Sequence, residues 1–151
     1  MIEITDQELD PEAISASVKK NSNGAVVTFF GTTRDSTQDR KVQYLEYEAY
    51  QPMAEKKLGE ISDDIRRKYR IEDIALVHRV KHLGVGEISL VVAVGSPHRE
   101  AAFAACQYAV DRIKHTVPIW KKEYFVGGDV WVESPEDVAL REAAELPSSS
   151  L

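Results

Sequence analysis

One amphipathic segment restricts the fold of this chain more than any other feature of the sequence. Four apolar residues recur in it at helical spacing, namely Ala54, Leu58, Ile61 and Ile65. Charged side chains lie between them, so the segment predicts a helix that buries one face and exposes the other. The preceding residues, 42–50, alternate between apolar and polar side chains, which predicts a strand with one wet face.

Apolar segments bounded by turn residues predict the other strands. They cover residues 2–4, 25–30, 74–81, 88–95, 119–125 and 130–133. Residues 25–30 would be apolar on both faces of a strand, which predicts that both faces are covered. The polar residues 35–41 predict a mobile loop, and residues 82–87 predict the short link of a hairpin.

Proline and serine residues mark the remaining helices. Pro11 begins a helix predicted over residues 11–20. Ser96-Pro97 predicts an N-cap followed by proline at the first position of a helix that runs to about His115. Ser134-Pro135 predicts the start of a short final helix.

The connections between these segments indicate the fold class. Most strands meet through hairpins, and the helices lie between groups of strands rather than in repeated strand–helix–strand units. We therefore predict an α+β fold with antiparallel or mixed sheets and packed helices. We expect a single domain over residues 1–146 and a flexible tail at residues 147–151.

Composition and charge exclude several classes of protein. The chain has 151 residues, 43% of them hydrophobic, which is enough for one domain with a core. Its net charge of −6 argues against a nucleic-acid binder, and no apolar run approaches the ~20 residues that span a membrane. Cys106 is the single cysteine, and the N-terminus lacks a signal-peptide pattern, so we predict a cytoplasmic protein.

Neither a metal site nor a resident cofactor is predicted. His78 and His82 are four positions apart, but that spacing brings ligands together only on a helix, and this segment is predicted as a strand. His78 shares a strand face with Leu76 and Val80, which predicts a core or half-buried histidine. Cys106 lies among alanines and is predicted to pack in the core rather than to react.

Basic residues beside structural boundaries indicate where an anion would bind. The start of a helix presents free N–H groups, and His98 and Arg99 at that place predict a phosphate site. The alternative is that Arg99 pairs with a surface carboxylate and His98 is merely exposed. Arg34 follows a predicted strand and begins a polar loop, which is typical of a binding loop, although a solvated arginine would have the same pattern.

Two lysines flank the boundary between a helix and a strand at Pro118. Lys114 would complement the helix dipole and pair with Asp111, and Lys121 would be a solvated lysine on a strand edge. Alternatively, lysines that are crowded or partly desolvated lose protons near neutral pH and serve in acid–base chemistry. The residues alone thus predict a site for a phosphorylated or carboxylated small molecule, without a defined reaction.

A set of motifs in unbroken order between Gly24 and Glu133 resembles one known family. The motifs occupy residues 24–34, 45–54, 77–87, 96–103, 113–114, 118–123 and 131–133, the most distinctive being Pro118-Ile119-Trp120-Lys121-Lys122-Glu123. This set resembles the MoaE family, the large, catalytic subunits of molybdopterin synthase. The resemblance implies an α/β hammerhead-type fold.

The same resemblance implies an activity and partners. Large subunits of this family form a homodimer, and each copy binds one small ubiquitin-like sulfur carrier, which gives a heterotetramer. The carrier's C-terminal Gly-Gly thiocarboxylate enters the pocket of the large subunit. Sulfur is delivered twice to cyclic pyranopterin monophosphate and forms the dithiolene of molybdopterin. No membrane and no nucleic acid is involved.

Matching positions imply the site residues. The implied substrate site consists of Thr32, Thr33, Arg34, His98, Arg99, Lys114, Lys121, Lys122 and Glu123. Lys114 and Lys121 would be the catalytic pair. One departure follows residues 131–133: some relatives have a basic residue where this chain has Pro135, so that contact is missing or replaced.

The predicted helix separates two parts of this implied site. Arg99 and Lys114 are 15 positions apart, which places their backbones about 22 Å apart along one helix. We therefore predict that His98 and Arg99 of one protomer complete a site whose Lys114 and Lys121 belong to its partner. The alternative to an enzyme is a non-catalytic dimeric module that binds a ubiquitin-like tail or an anionic ligand.

Overall fold

The computed structural model describes residues 1–145 as two β-sheets and four helices. The strands are β1 Ile2–Thr5, β2 Ala25–Thr32, β3 Ser36–Thr37, β4 Arg40–Ala49, β5 Asp73–Arg79, β6 Lys81–Gly84, β7 Ile88–Ser96, β8 Ile119–Phe125 and β9 Val130–Glu133. The helices are α1 Pro11–Ser17, α2 Gln51–Tyr69, α3 Arg99–Thr116 and α4 Pro135–Glu145. The tail predicted at residues 147–151 lies outside the described residues.

The first sheet has the strand order β1-β5-β7-β2 and is mixed, because β1 is parallel to β5 and the other pairs are antiparallel. Its central strands alternate between two apolar clusters. Leu76 on β5 packs towards α2 and α3, in a cluster with Leu58 and Ala105. Val77, the next residue, joins a second cluster with Ile14 of α1. Helices therefore cover both faces of the central strands of this sheet.

The second sheet is antiparallel, with the order β3-β4-β8-β9 and with β6 also paired to β4. A small apolar cluster supports it, formed by Val42, Leu45, Leu83 and Phe125. The prediction of an α+β fold with mixed and antiparallel sheets is thus confirmed. No helix within residues 1–145 is both long and apolar enough to cross a membrane.

Two predicted loops contain strands instead. The segment predicted as a mobile loop forms the β3–β4 hairpin, whose turn residues Gln38 and Asp39 have φ values of 49° and 63°. Two consecutive residues with positive φ match the tight hairpin turn whose twist suits antiparallel strands. The predicted link at residues 82–87 contains part of β6, which leaves the first sheet and pairs with β4 of the second.

Two other predictions were wrong at their boundaries. Helix α3 begins at Arg99 with His98 as the N-cap, not at Ser96, because Ser96 still pairs with Ala25 in the β7–β2 ladder. Strand β2 is not covered on both faces, since Val26 and Phe30 are 40% and 49% exposed. The cover is incomplete because α1 ends at Ser17, earlier than predicted, and β2 is the edge strand.

Helix α4 differs from the other helices in how it is held. Its start is capped reciprocally, since the Asp137 N–H donates to Ser134 Oγ at 3.2 Å and the Ser134 N–H donates to Asp137 Oδ2 at 2.9 Å. None of its described residues is buried. Side-chain contacts tie it to the body, from Arg141 to Glu133 at 2.8 Å and between Glu142 and His115 at 2.6 Å.

Candidate active site

A cleft lies where the end of α3, the face of the second sheet and α4 meet. Its inner part is a cavity of about 90 Å³, and it opens into a groove of about 310 Å³. Lys114, Lys121 and Arg141 line both parts. The two lysines that flank the helix–strand boundary in sequence thus reach the same space from different elements.

Strand register explains why Lys121 meets carboxylates there. On β8, Lys121 lies directly opposite Tyr47 of β4 and Glu133 of β9, and such pairs share one sheet face. Lys121 Nζ lies 3.3 Å from Glu123 Oε1 and 3.6 Å from Glu133 Oε2. Both carboxylates belong to buried residues, 3% and 6% exposed. The prediction of a solvated lysine on a strand edge is wrong, because β8 lies between β4 and β9.

Lys114 has different neighbours. It lies in the last turn of α3 and, within residues 1–145, has no carboxylate oxygen within 4.0 Å. The predicted pair with Asp111 is absent from this described part, where Asp111 accepts a hydrogen bond from Gln107 at 2.9 Å. Although the residue as a whole is exposed, desolvation in the cleft and the nearby Lys121 ammonium lower the pKa of Lys114.

The floor of the cavity is uncharged. His78 Nδ1 donates to the Arg79 carbonyl at 2.7 Å, and burial lowers the pKa of His78 to about 4. The ring therefore stays neutral near pH 7, and the prediction of a core histidine is confirmed. Tyr47 meets it edge to face with ring centroids 5.0 Å apart, and burial raises the pKa of this phenol. Ser89 completes the floor.

Two of the three predicted residues at the end of β2 lie at the outer groove. Thr32 and Arg34 line it and are exposed. Thr33 is buried, and its N–H donates to the Glu87 carbonyl at 3.0 Å. Its hydroxyl oxygen has no hydrogen-bond partner within the described residues. Thr37 of the β3–β4 hairpin donates to Glu123 Oε2 at 2.6 Å, which ties the hairpin to the site.

Besides the buried Thr33, three predicted residues do not line this cleft. Lys122 lies on the opposite face of β8, where its Nζ donates to Glu48 Oε1 at 2.9 Å, and this contact raises the pKa of Lys122. His98 and Arg99 are exposed at the far end of α3. Since α3 runs unbroken from Arg99 to Thr116, about 22 Å of helix separates Arg99 from Lys114. Completion of the site by a second protomer therefore stays a prediction.

Two residues of the site were missed from the sequence, Glu133 as a charge partner and Arg141. The Arg141 guanidinium donates to Glu133 Oε1 at 2.8 Å and lines the cavity. It brings a cation to the site from α4, six positions after Pro135. The Ser134 capping pattern located this helix, but no sequence signal showed which of its faces turns towards the cleft.

The arrangement suits the stabilisation of negative charge. Lys114 and Arg34 have no carboxylate oxygen within 4.0 Å in the described part of the chain, so both basic side chains are available to a ligand. Fixed cations in a partly closed pocket stabilise charge that develops during a reaction. Among residues 1–145 no group of three or more His, Cys, Asp or Glu side chains is arranged to hold a metal ion.

Known proteins are similar to this chain in both sequence and fold. Residues 4–116 match the family described as MoaE protein. The molybdopterin synthase catalytic subunit of Bacillus subtilis is 45% identical over 130 residues, which cover 86% of this chain and 83% of that protein.

Solved structures agree with this match. A molybdopterin synthase structure from Staphylococcus aureus contains a chain with 42% identity and a TM-score of 0.83, covering 87% of this chain and 96% of that one. Molybdopterin cofactor biosynthesis protein E from Burkholderia multivorans has 31% identity and a TM-score of 0.77, with 97% of each chain covered. This chain therefore belongs to the MoaE family.

Proposed function

We propose that this chain is the catalytic subunit of a molybdopterin synthase, a sulfurtransferase of molybdenum cofactor biosynthesis. It transfers sulfur from the thiocarboxylated C-terminus of a small ubiquitin-like carrier to cyclic pyranopterin monophosphate, which becomes the dithiolene of molybdopterin. The observation that carries this proposal is the meeting of Lys114 and Lys121, from different elements, in one cavity.

The chemistry of the substrates fits the cations of the cleft. Attack of a thiocarboxylate and opening of a cyclic phosphate both develop negative charge, which fixed ammonium and guanidinium groups stabilise. Lys114 and Lys121 are the catalytic pair, and Arg34 contacts the phosphate at the groove. Thr32 and Glu123 line the same groove, and the buried Thr33 lies between Thr32 and Arg34 in the chain.

The shape of the cleft fits an extended peptide tail. The inner cavity is narrow and continues into a groove bordered by the β3–β4 hairpin and α4. A Gly-Gly terminus has no side chains and would enter such a cavity with its thiocarboxylate foremost. Two large subunits and two carriers form a heterotetramer, in which His98 and Arg99 reach the site of the partner protomer.

A cytoplasmic location completes the proposal. Cys106 is the single cysteine of the chain, and it is buried as a free thiol on the core-facing side of α3. A buried thiol with a pKa raised by burial is inert packing rather than half of a disulfide. This usage fits a reducing compartment.

The decisive experiment is incubation of the chain with cyclic pyranopterin monophosphate and a thiocarboxylated carrier. We expect formation of the dithiolene product, detected by mass spectrometry. A carrier that ends in an ordinary carboxylate is the matched control and should give no product. Binding of the carrier without any product, under conditions where a known synthase turns over, would favour the non-catalytic binding module instead.

A further inference from the structure

The two lysines line the same cavity, but only one of them has carboxylate partners. Lys121 lies between the buried carboxylates of Glu123 and Glu133, at 3.3 Å and 3.6 Å. Lys114 has no carboxylate oxygen within 4.0 Å in residues 1–145. A paired ammonium is stabilised by its neighbours, whereas an unpaired ammonium beside a second cation is destabilised.

Groups from every element around Lys114 contribute to this contrast. Lys121 on β8 and Arg141 on α4 disfavour a positive charge on Lys114, whereas Glu142 and Glu133 favour it. Arg141 is itself engaged, because it donates to Glu133.

The remaining neighbours of Lys114 do not compensate for the repulsion of its ammonium group by Lys121 and Arg141. On the floor, His78 of β5 and Tyr47 of β4 are neutral near pH 7, because burial lowers the first pKa and raises the second. Glu142 lies 2.6 Å from His115 of α3, so its carboxylate is shared with another group. Arg34 at the groove adds positive charge to the same space. The net effect, led by desolvation, is that the pKa of Lys114 is lowered.

We infer that the two lysines divide the chemistry, with the ion-paired Lys121 as the cation that stabilises oxyanions and the unpaired Lys114 as the amine that gives up its proton more readily and accepts one from water. This division rests on the proposed function for its reaction and on the ion pairs for its assignment. Pairs of like groups whose surroundings separate their protonation states are how active sites assign acid and base roles. Glu133 is then a positioning residue, because it holds both Lys121 and Arg141.

A defined proton transfer follows from this division. When the thiocarboxylate sulfur bonds to a pterin carbon, a C–O bond at that carbon breaks and its oxygen leaves with the electron pair. The carrier is then an acyl thioester, which water must cleave. Lys114 Nζ takes one proton of that water while its oxygen bonds to the acyl carbon. The C–S bond then breaks, the sulfur leaves as a thiolate on the pterin, and the carrier leaves as a carboxylic acid that ionises. Lys121 faces the acyl oxygen, where the negative charge develops.

Competitive acetylation of the native chain tests the division without carrier or precursor. Acetic anhydride reacts with neutral amines only, so the extent of labelling against pH reports the protonation of each lysine. We expect Lys114 to reach half-maximal labelling at a lower pH than Lys121 and lower than Lys56, which is exposed on α2. In denaturant the three lysines should become equivalent. Labelling of Lys121 at the same pH as Lys114, or below it, would overturn the inference.

Two matched glutamine variants test which carboxylates cause the difference in labelling between Lys114 and Lys121. Glu133→Gln removes one carboxylate from Lys121, so labelling of Lys121 should move to lower pH by more than that of Lys114. Glu142→Gln removes a carboxylate that faces Lys114 from α4, so only Lys114 should move. An unchanged Lys121 profile in folded Glu133→Gln, checked by circular dichroism, would refute the role of Glu133. If Glu133→Gln does not fold, the comparison of Lys114 with Lys121 in the unaltered chain still decides.

This outcome is independent of the proposed function. If the labelling order holds but no dithiolene forms from carrier and precursor, the substrate assignment fails while the charge division stands. If dithiolene forms but the labelling order is reversed, the sulfur transfer stands and the assignment of base and cation is wrong.

Discussion

The two sheets of this molecule bury different kinds of side chain. In the first sheet the central strands β5 and β7 are buried almost throughout, and their side chains enter apolar clusters on both faces. In the second sheet, β8 and β9 bury Glu123 and Glu133 against Lys121. Buried charges are costly unless they are paired. The first sheet thus buries mainly apolar side chains, whereas the second sheet buries paired charges beside the cleft.

The largest effect that would test this contrast is a cavity in the first sheet. Leu76 is fully buried between β5 and the helices, so Leu76→Ala should lower the free energy of unfolding by about 2–5 kcal/mol. Urea denaturation measures the loss. Trp131→Ala on the exposed β9 is the control and should cost much less. Equal losses at both positions would show that the two sheets do not differ in this way.

The converse change removes a basic group from the cleft, either from α3 or from β8 of the second sheet. Lys114→Ala and Lys121→Ala should each reduce turnover by about 100-fold or more, because the first removes a proton acceptor and the second removes a group that stabilises transition-state charge. Stability should change by under ~0.5 kcal/mol for exposed Lys114. Dithiolene formation and the melting temperature are the measurements.

Lys122→Ala is the matched control for both lysines. Lys122 neighbours Lys121 in the chain but faces away from the cleft and pairs with Glu48. We expect the Lys122 variant to keep most of its activity. A variant of Lys114 or Lys121 that turns over normally, or one that melts far earlier, would contradict the catalytic assignment.

His78 belongs to the first sheet but touches Tyr47 of the second, so its titration sharpens the comparison. Its folded pKa is lowered from 6.5 to about 4, whereas the unfolded chain binds the proton near 6.5. Stability is therefore complete above pH 6.5 and falls as the pH drops towards 4, by roughly 3 kcal/mol. Urea denaturation between pH 6.5 and 4.5 should show this slope, and His78→Phe should flatten it. A slope unchanged in the variant would assign it to other groups.

Loss of a phosphate contact should be a smaller effect. Arg34→Ala and Arg99→Ala should weaken binding of the precursor more than they slow the chemical step, by about 1.5–3 kcal/mol for a charge-assisted hydrogen bond. Dissociation constants from calorimetry measure the effect on binding, and single-turnover rates measure the effect on the chemical step. Arg112→Ala, on an exposed face of α3, is the control. Unchanged dissociation constants for both variants would place the phosphate elsewhere.

The smallest expected signal is a partial recovery of activity in mixed dimers. Arg99→Ala and Lys114→Ala proteins are mixed so that subunits exchange, at a precursor concentration so low that neither variant alone turns over appreciably. Mixed dimers should carry one intact site if Arg99 of one protomer serves Lys114 of its partner. Mass spectrometry of differently tagged subunits verifies the exchange. Verified exchange with no recovered activity would mean that the site is built within one chain.

Helix α2 and the strands β8 and β9 were predictable from sequence because their signals are local. Apolar spacing located α2, and Gly127-Gly128 separated β8 from β9. Lys114 and Lys121 could be selected as candidate site residues for the same reason, because both lie close to Pro118 in the sequence. The resemblance to a family supplied their roles, which local patterns do not contain.

Contacts between distant segments account for what sequence did not predict. The partners of Lys121 depend on the registers of β8 with β4 and with β9. Thr37 reaches Glu123 across 86 positions, and β6 crosses to the second sheet. Arg141 meets the cleft only because α4 docks beside α3. Pairing between distant segments has no periodic signature, so only the folded chain reveals it.

The docking of α4 has a consequence for the timing of the reaction cycle. A helix without buried residues, held by Glu133 and His115 through side-chain contacts, separates from the body at a low free-energy cost compared with global unfolding. Its amide hydrogens should exchange with solvent long before those of α3. Helix α4, which forms one wall of the cleft, can thus detach without unfolding of the rest of the chain. A bulky product can leave past α4 while the first sheet stays folded. The rate of product release is therefore not limited by the much slower opening of the core.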